Sequence, residues 1–328
     1  MNYSVLIIGL GNIGMLYDVN LNEVNYAYSH SRAFSQHPSF TLIAAVDPSS
    51  FLRDKFSEIY HVIAYADISL IPEIIQPDVV VVATPTETHI SIIYEIIMRY
   101  SPKVILCEKP LCYDSLQAKD VIQKCHEKGI QLFINYIRRA DPGIIEVRNL
   151  LTSGQISKPI KAVVWYSKGL LHNGAHFVDL LKFWLGPVLS EKVICPGMKL
   201  LIDADAEPDF ILHFETGTAI FCAANEENFS HYTIELVAKN GRLRYEKDGQ
   251  IIWQPAVLHP TLPNYMQLQA SSYAIKNDAQ RYQYYVAEQI VSVLNEDVNT
   301  LCTGDIEINN IELLQKLINK CKEFKENE

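Results

Sequence analysis

Val5-Leu6-Ile7-Ile8-Gly9-Leu10-Gly11-Asn12-Ile13-Gly14 is the stretch that decides the fold of the first part of the chain. Four consecutive apolar residues predict a strand buried on both faces, and the glycines after it have the spacing GxGxxG. The first glycine of this motif permits a tight turn, the second lets backbone approach a pyrophosphate, and the third lets a helix pack on the strand. A tight turn without a ligand is the alternative interpretation. We predict that a dinucleotide binds at Gly9, Gly11, Asn12, Ile13 and Gly14.

Apolar runs rich in valine and isoleucine continue along the first part of the chain, and amphipathic segments separate them. The runs lie at 40–46, 79–83, 104–107 and 131–134, and the helical patterns lie at 31–37, 50–60, 89–99 and 115–128. Such runs are typical of strands covered on both faces, and the strand–helix alternation indicates a doubly wound parallel α/β sheet. We therefore predict a Rossmann domain over residues 1–135.

The pattern changes after residue 136. Helices are predicted at 144–154, 175–184, 280–294 and 306–324, and strands at 160–168, 192–195, 209–214, 218–224, 232–238, 242–245 and 251–254. Thr216-Gly217 and Asn240-Gly241 are hairpin turn signals between the short strands. Residues 136–328 are therefore predicted to form an α+β domain with a large, mostly antiparallel, open-faced sheet and helices, and a chain of 328 residues suits two domains.

Composition excludes several classes of function. The net charge of −10, from 28 basic and 38 acidic residues, disfavours nucleic-acid binding, which needs clustered lysine and arginine. No apolar stretch is long enough to span a membrane, and the N-terminus has no signal-peptide pattern. The seven cysteines are odd in number and contain no CxxC motif, so neither disulfides nor a metal site is expected. A soluble cytoplasmic protein is the prediction.

Asp47 ends the second predicted strand, where an acidic residue binds the adenosine ribose and repels a 2′-phosphate. The predicted cofactor is therefore NAD rather than NADP. Capping of the following helix is a second, compatible role. Asp47 lies 33 residues after Gly14, whereas about 20 is usual. Residues 17–29, rich in Asn, Asp and Tyr, explain the excess as a surface excursion near the cofactor or the substrate.

Two further motifs lie where a parallel sheet carries its ligands. Thr84-Pro85 follows the third strand, so it is expected along the nicotinamide side, although a simple turn is equally compatible with it. Glu108-Lys109-Pro110 ends the fourth strand, and a lysine there can act on a substrate. His176 and Asp179 lie three residues apart and so share one face of the next domain's helix.

Together these motifs resemble the Gfo/Idh/MocA family of glucose–fructose, inositol and nucleotide-sugar oxidoreductases, in family order and over essentially the whole chain. The resemblance rests on Gly9–Gly14, Thr84-Pro85 with His89, Glu108-Lys109-Pro110, and Gly174-Ala175-His176 with Asp179. It implies that Lys109 and His176 are the catalytic acid/base groups. It also implies that Thr84, Pro85, His89, Glu108 and Lys109 contact the cofactor.

The chemistry agrees with these roles, because oxidation of a secondary alcohol needs a proton acceptor that works near neutral pH. One position departs from the family: the aspartate expected four residues before His176 is His172. Either His172 or Asn173 takes the polar role, or neither does. The resemblance also places Asn135-Tyr136 and Arg138-Arg139 beside the active site. The predicted substrate contacts are Lys109, Tyr136, Arg138, Asn173, His176 and Asp179, with His172 as an assisting catalytic group.

The predicted function is NAD(H)-dependent hydride transfer between nicotinamide and a secondary alcohol or ketone of a sugar, cyclitol or nucleotide-linked sugar. A redox-neutral lyase or hydrolase that retains NAD, and a non-catalytic NAD-binding interaction protein, are the alternatives. The expected assembly is a homodimer or homotetramer, because an open-faced sheet leaves a broad apolar face to cover.

Overall fold

The computed structural model describes residues 2–197, 205–224, 229–246 and 249–326. The chain divides into two compact units. The first unit comprises Met1–Ala140 together with Gln280–Ile311, and the second comprises Asp141–Ala279 together with Glu312–Glu328. The sequence predicts one boundary near residue 135, so the structure differs in adding 280–311 to the first unit.

Strands and helices alternate in the first part of the chain and strands dominate the second. The strands of the described residues are β1 (Tyr3–Ile8), β2 (Phe40–Val46), β3 (Ala64–Tyr65), β4 (Val79–Val82), β5 (Val104–Cys107), β6 (Gln131–Ile134), β7 (Ile160–Tyr166), β8 (Val188–Cys195), β9 (Asp209–Phe214), β10 (Gly217–Ala223), β11 (Thr233–Ala238), β12 (Gly241–Tyr245), β13 (Ile251–Leu258), β14 (Met266–Leu268), β15 (Tyr273–Ile275) and β16 (Cys302–Thr303). The α-helices are α1 (His30–Gln36), α2 (Ser50–Tyr60), α3 (Thr86–Arg99), α4 (Ser115–Glu127), α5 (Pro142–Thr152), α6 (Ala175–Leu185), α7 (Tyr282–Leu294) and α8 (Gly304–Glu326).

The first unit is built on a sheet with the strand order β16-β6-β5-β4-β1-β2-β3. All neighbours in it are parallel except β16, which runs antiparallel to β6. Every residue of β4 and β5 is buried, as expected for strands covered on both faces. The predicted parallel Rossmann sheet is confirmed.

Residues 280–311 join this sheet because their apolar side chains share its core. Val286 and Ile290 of α7 lie in the same buried cluster as Val5 and Ile7 of β1. Cys302 pairs with Ile134, which adds β16 at the edge of the sheet. The late helix predicted at 280–294 was assigned to the second domain, and its packing corrects that assignment.

The second unit is built on a sheet with the order β14-β13-β12-β11-β7-β10-β9-β8, and β15 pairs with β13. The pairings are antiparallel except that of β7 with β10. The predicted mostly antiparallel sheet with helices is confirmed.

One face of the second sheet is buried and the other is open in the monomer. Burial alternates strictly along β7, so its odd-numbered residues Val163 and Trp165 lie on the open face. Ile220 of β10 pairs with Val163 in the register, and Val237 of β11 belongs to the same exposed face. These four apolar side chains are between 37% and 48% exposed.

Candidate active site

The three glycines after β1 differ in how much space a side chain would have. Gly9 has φ +95°, and a Cβ there would lie 2.5 Å from the Ala83 carbonyl oxygen. A Cβ at Gly14 would lie 2.0 Å from the Gly9 carbonyl oxygen, whereas one at Gly11 would meet none of the described atoms within 4 Å. The fold therefore requires Gly9 and Gly14 to be glycine. Gly11 leaves open space beside the turn, which fits the close approach of a pyrophosphate.

The helix that begins at this turn is interrupted and then resumed. Gly11 O accepts a hydrogen bond from Met15 N at 2.8 Å, but Ile13 O accepts from His30 N at 3.0 Å and Gly14 O accepts from Ser31 N at 2.9 Å. Carbonyl groups of the first helical turn thus accept hydrogen bonds from the start of α1, and residues 15–29 lie between the two segments. Without these 15 residues, Asp47 lies close to the usual spacing of about 20 from the motif.

The excursion itself is tied down at Asp18, a fully buried residue. Its carboxylate accepts from Tyr28 N at 2.7 Å, Ser29 N at 2.8 Å and Ser29 Oγ at 2.7 Å. The Tyr28 ring lies 5.3 Å from the ring of Tyr282 on α7. Burial and the nearby charge of Glu108 raise the pKa of Tyr282 well above its usual value. The excursion therefore reaches the surroundings of Glu108.

Asp47 ends β2 as predicted, and its carboxylate braces the glycine turn. Oδ2 accepts from Leu10 N at 2.8 Å and Oδ1 accepts from Ser49 N at 2.8 Å. An ionised carboxylate has about four acceptor positions, so acceptor capacity remains for ribose hydroxyls. The cap of α2 is Ser49, whose side chain accepts from Leu52 N, rather than Asp47.

Thr84 and Pro85 follow β4, and His89 lies one turn into α3. The ring of His89 is 1% exposed. Its Nε2 lies 2.8 Å from the Thr84 carbonyl oxygen and its Nδ1 lies 3.0 Å from the Pro110 carbonyl oxygen. Both ring nitrogens thus lie against backbone carbonyls, and the contact of His89 with the cofactor stays a prediction. We infer that His89 holds the two turns that carry Thr84 and Lys109.

Glu108 follows β5, and its backbone N donates to the Val82 carbonyl oxygen at 2.9 Å. Its Oε1 lies 2.8 Å from His30 Nε2 and 2.6 Å from Asn135 Nδ2. Burial alone would raise the pKa of this carboxyl, but the hydrogen bond and charge of His30, the Asn135 amide and the Lys109 charge hold the pKa below its usual value. Glu108 is therefore an anchored anion, and the half-buried Lys109 follows it directly.

The remaining predicted contacts of the first unit follow β6. Tyr136 and Arg139 are buried, whereas Arg138 is half-buried. The carbonyl oxygen of Arg139 accepts from Thr300 Oγ1 at 2.7 Å. Arg138 is thus the more accessible of the two guanidinium groups, and it stays our predicted substrate contact.

In the second unit, the predicted polar residues lie on one continuous helical segment. A π-helical turn over Gly169–Gly174 runs directly into α6. The sequence predicts that the helix begins near Gly174, so the structure extends it by one turn and places His172 and His176 on the same segment. His172 is exposed, His176 is half-buried and Asp179 is buried.

Two buried acids, which sequence reasoning missed, support this segment. Asp205 Oδ2 accepts from Leu171 N at 2.9 Å and from His172 N at 3.0 Å, and Glu207 Oε1 accepts from Gly169 N at 3.1 Å. Gly169 has φ +80°, and a Cβ there would lie 2.0 Å from Asp205 Oδ2. Burial raises the pKa of Asp205 above its usual value, although the hydrogen bonds from Leu171 N and His172 N act in the opposite direction. The only sequence signal was a pair of acids before β9.

The amide of Asn173 also holds this segment. Its Nδ2 donates to the Ser167 carbonyl oxygen at 2.9 Å.

Among the described residues, no three His, Cys, Asp or Glu side chains group closely enough to hold a metal ion. No helix within the described ranges is both long enough and apolar enough to span a membrane.

Comparison with known proteins gives a family match for the first part of the chain. Residues 3–136 match the GFO_IDH_MocA model, described as an oxidoreductase family with an NAD-binding Rossmann fold. This match covers the part of the chain that carries the glycine motif, Asp47, Thr84 and Lys109. The match agrees with the predicted family over this part of the chain and confirms the predicted cofactor, NAD. The Gly11 space and the Asp47 carboxylate fit that cofactor.

Relatives of this Gfo/Idh/MocA domain include inositol dehydrogenases. Inositol 2-dehydrogenase of Mycolicibacterium smegmatis is 37% identical over 84 residues, which are 25% of this chain and 24% of that protein. Inositol 2-dehydrogenase of Rhizobium meliloti is 26% identical over 129 residues, which are 39% of this chain and 38% of that protein. The chain thus matches between about a quarter and two fifths of the length of these two curated relatives.

Solved structures match over the whole length and show the fold. An oxidoreductase from Agrobacterium radiobacter in complex with NAD+, L-tartaric acid and magnesium has a TM-score of 0.74 at 16% identity, with 96% of this chain and 95% of that chain covered. The WlbA dehydrogenase of Bordetella pertussis in complex with NADH and UDP-GlcNAcA also has a TM-score of 0.74 at 16% identity, with 98% and 96% covered.

Proposed function

We propose that the chain is an NAD-dependent dehydrogenase or reductase that acts on a secondary alcohol or ketone of a sugar, cyclitol or nucleotide-linked sugar. The observation that carries the proposal is the Glu108-Lys109 turn. Lys109 follows an anchored carboxylate at the carboxyl end of β5, the edge of a parallel sheet at which such folds bind their ligands. A protein that only binds NAD needs no lysine there.

The residues divide into those that hold the cofactor and those that move a proton. Bound NAD supplies the hydride acceptor or donor. The holding residues are Gly9, Gly11, Asn12, Ile13, Gly14, Asp47, Thr84, Pro85, Glu108 and Lys109. Lys109 and His176 are the acid/base groups that take the alcohol proton or return it to the carbonyl oxygen. His172 assists where the family usually has an aspartate.

The substrate class follows from the groups available to bind it. Arg138 can pair with a phosphate or carboxylate, and Tyr136, Asn173 and Asp179 offer hydrogen-bonding groups to a polyol. The inositol dehydrogenases and the complex of WlbA with UDP-GlcNAcA support cyclitols and nucleotide sugars as the first classes to test.

A substrate screen tests the proposal. NAD+ reduction is followed at 340 nm with myo-inositol, D-glucose and UDP-N-acetylglucosamine, each also with NADP+. We expect reduction of NAD+ with one class and weaker or absent reduction of NADP+. Cofactor that stays bound and is never reduced, while a sugar is cleaved or dehydrated, would instead establish the redox-neutral alternative.

We also propose that the protein is a cytoplasmic homodimer or homotetramer. No disulfide joins any of the seven cysteines, all of which lie within the described residues, and reduced cysteines are typical of a reducing compartment. The open face carries the apolar side chains of Val163, Trp165, Ile220 and Val237 beside the charged Lys161 and Glu235. Exposed apolar side chains grouped in this way are characteristic of interfaces.

Replacing Trp165 by glutamate will convert the assembly into monomers, because the proposed interface would lose its largest apolar side chain and would bury an added negative charge near Glu235. Light scattering at micromolar concentration is expected to show the mass falling to 37.3 kDa. Met98→Glu is the matched control, since Met98 is 88% exposed and lies in the first unit. A monomeric wild type, or an unchanged mass for Trp165→Glu, contradicts the proposed interface.

A further inference from the structure

A buried polar cluster surrounds the carboxylate of Glu108 in the first unit. Its other members are His30 at the start of α1, Asn135 after β6 and Gln283 on α7, each at most 1% exposed. Asn135 Nδ2 lies 2.6 Å from Glu108 Oε1 and 3.2 Å from Gln283 Oε1. These three residues come from distant parts of the sequence, and the proposed function does not use them.

The contacts of His30 define how it binds Glu108. Nε2 lies 2.8 Å from Glu108 Oε1, whereas Nδ1 has no hydrogen-bond partner among the described residues. Because the Glu108 carboxylate can only accept, His30 Nε2 carries a hydrogen and donates it to Glu108. A buried carboxylate keeps its charge only while such donors remain.

Lys109 lies between two anchored neighbours. On one side the Glu108 side chain is held by His30 and Asn135. On the other side the Pro110 carbonyl oxygen contacts His89 Nδ1 at 3.0 Å, and Leu111 N donates to Glu307 Oε1 at 3.2 Å. Release of the first anchor would let the turn move, and a displacement of about 1 Å at a reacting group costs about 10²-fold in rate.

We propose that His30 is a positioning residue: by holding the Glu108 carboxylate it fixes the Glu108-Lys109-Pro110 turn and thereby the place of the Lys109 amine. Its effect on turnover rests on the proposed function, but its effect on the geometry of Lys109 does not. The proposal also gives the excursion a role. Ser29 caps α1 and is held by Asp18, so residues 15–29 determine where His30 begins the helix.

The test compares His30→Gln with His30→Asn. A glutamine side chain can place its amide nitrogen near the position of imidazole Nε2, whereas asparagine is too short to reach it. Protein labelled with 13Cε-lysine reports the surroundings of Lys109 by NMR, and loss of one resonance in Lys109→Arg assigns the signal. We expect His30→Asn to move this resonance by more than its line width and His30→Gln to restore it.

His37→Asn is the matched control. His37 is the cap residue at the other end of α1, is also buried, and pairs with Glu288 at 3.1 Å. It should leave the Lys109 resonance in place. With the substrate found in the screen, we expect kcat to fall at least tenfold in His30→Asn, with the KM for NAD+ little changed, and to recover in His30→Gln.

The Lys109 resonance separates failure of this inference from failure of the proposed function, because it is measured without substrate. An unmoved Lys109 resonance in folded His30→Asn, or an equal shift in His30→Gln, overturns the positioning role. If His30→Asn does not fold, Glu108→Gln replaces it, since this change weakens the same anchor from the other side. An unmoved Lys109 resonance in Glu108→Gln then overturns the proposal.

Discussion

Lys109→Met is expected to lower kcat by about 10²–10⁴-fold, the usual range for loss of an acid/base group. The affinity for NADH should fall far less, because the other holding residues remain. The expectation follows from the place of Lys109 after an anchored carboxylate at the carboxyl end of β5. Methionine keeps an unbranched side chain as far as the ε carbon, with sulfur at the δ position, and lacks the amine. Stopped-flow hydride transfer and NADH fluorescence titration measure the two quantities.

Lys103→Met is the control for this change. Lys103 precedes the same strand at its amino end, is 58% exposed and pairs with Asp78, so its loss should leave turnover unchanged. Unimpaired kcat in Lys109→Met would refute the assignment of Lys109. An equal loss of NADH affinity and of turnover would mean that Lys109 only holds the cofactor and is not an acid/base group.

Alanine at the three glycines of the GxGxxG motif is expected to give two different outcomes. Gly9→Ala and Gly14→Ala should each lower the free energy of unfolding by about 3 kcal/mol or more, because their Cβ atoms would overlap backbone oxygens. Gly11→Ala should leave the melting temperature nearly unchanged, because its Cβ meets none of the described atoms. It should instead weaken NADH binding at least tenfold by filling the space beside the turn.

Thermal unfolding and NADH titration of the three variants decide this prediction. The variants are matched to one another, since each adds a single methyl group within six residues of the chain. Tight NADH binding by Gly11→Ala would mean that no phosphate approaches this backbone. A stable Gly14→Ala variant would mean that the turn can open, which its contacts do not allow.

The central strands were predictable because each is a local signal. β1, β2, β4, β5 and β6 are short apolar runs, since a strand buried on both faces contains no polar alternation. β3 and β16 have two residues each, too few for any pattern. The return of α7 to the first sheet was equally invisible, because an amphipathic helix reveals that it has an apolar face but not which surface covers it.

The candidate site divides in the same way. The glycine motif and Asp47 are contiguous motifs with fixed spacing, so sequence was sufficient to find them. His30, Asn135 and Gln283 lie more than 100 residues apart along the chain and meet only through the sheet. His89 is a different case: a family motif pointed to a cofactor contact, but a motif could not reveal that its two ring nitrogens lie against backbone carbonyls.

The interrupted helix after the glycine motif offers a place for engineering. Its two halves are joined by hydrogen bonds from 30 and 31 to 13 and 14, so the geometry of the motif does not depend on the length of chain between them. Residues 20–25 at the tip are all exposed, and the next residue, Tyr26, is half-buried. Exposed loop tips tolerate inserted sequence. A fluorescent module grafted there would report on bound NADH from a distance set by the linker. The insertion would leave the NADH-binding sheet unchanged.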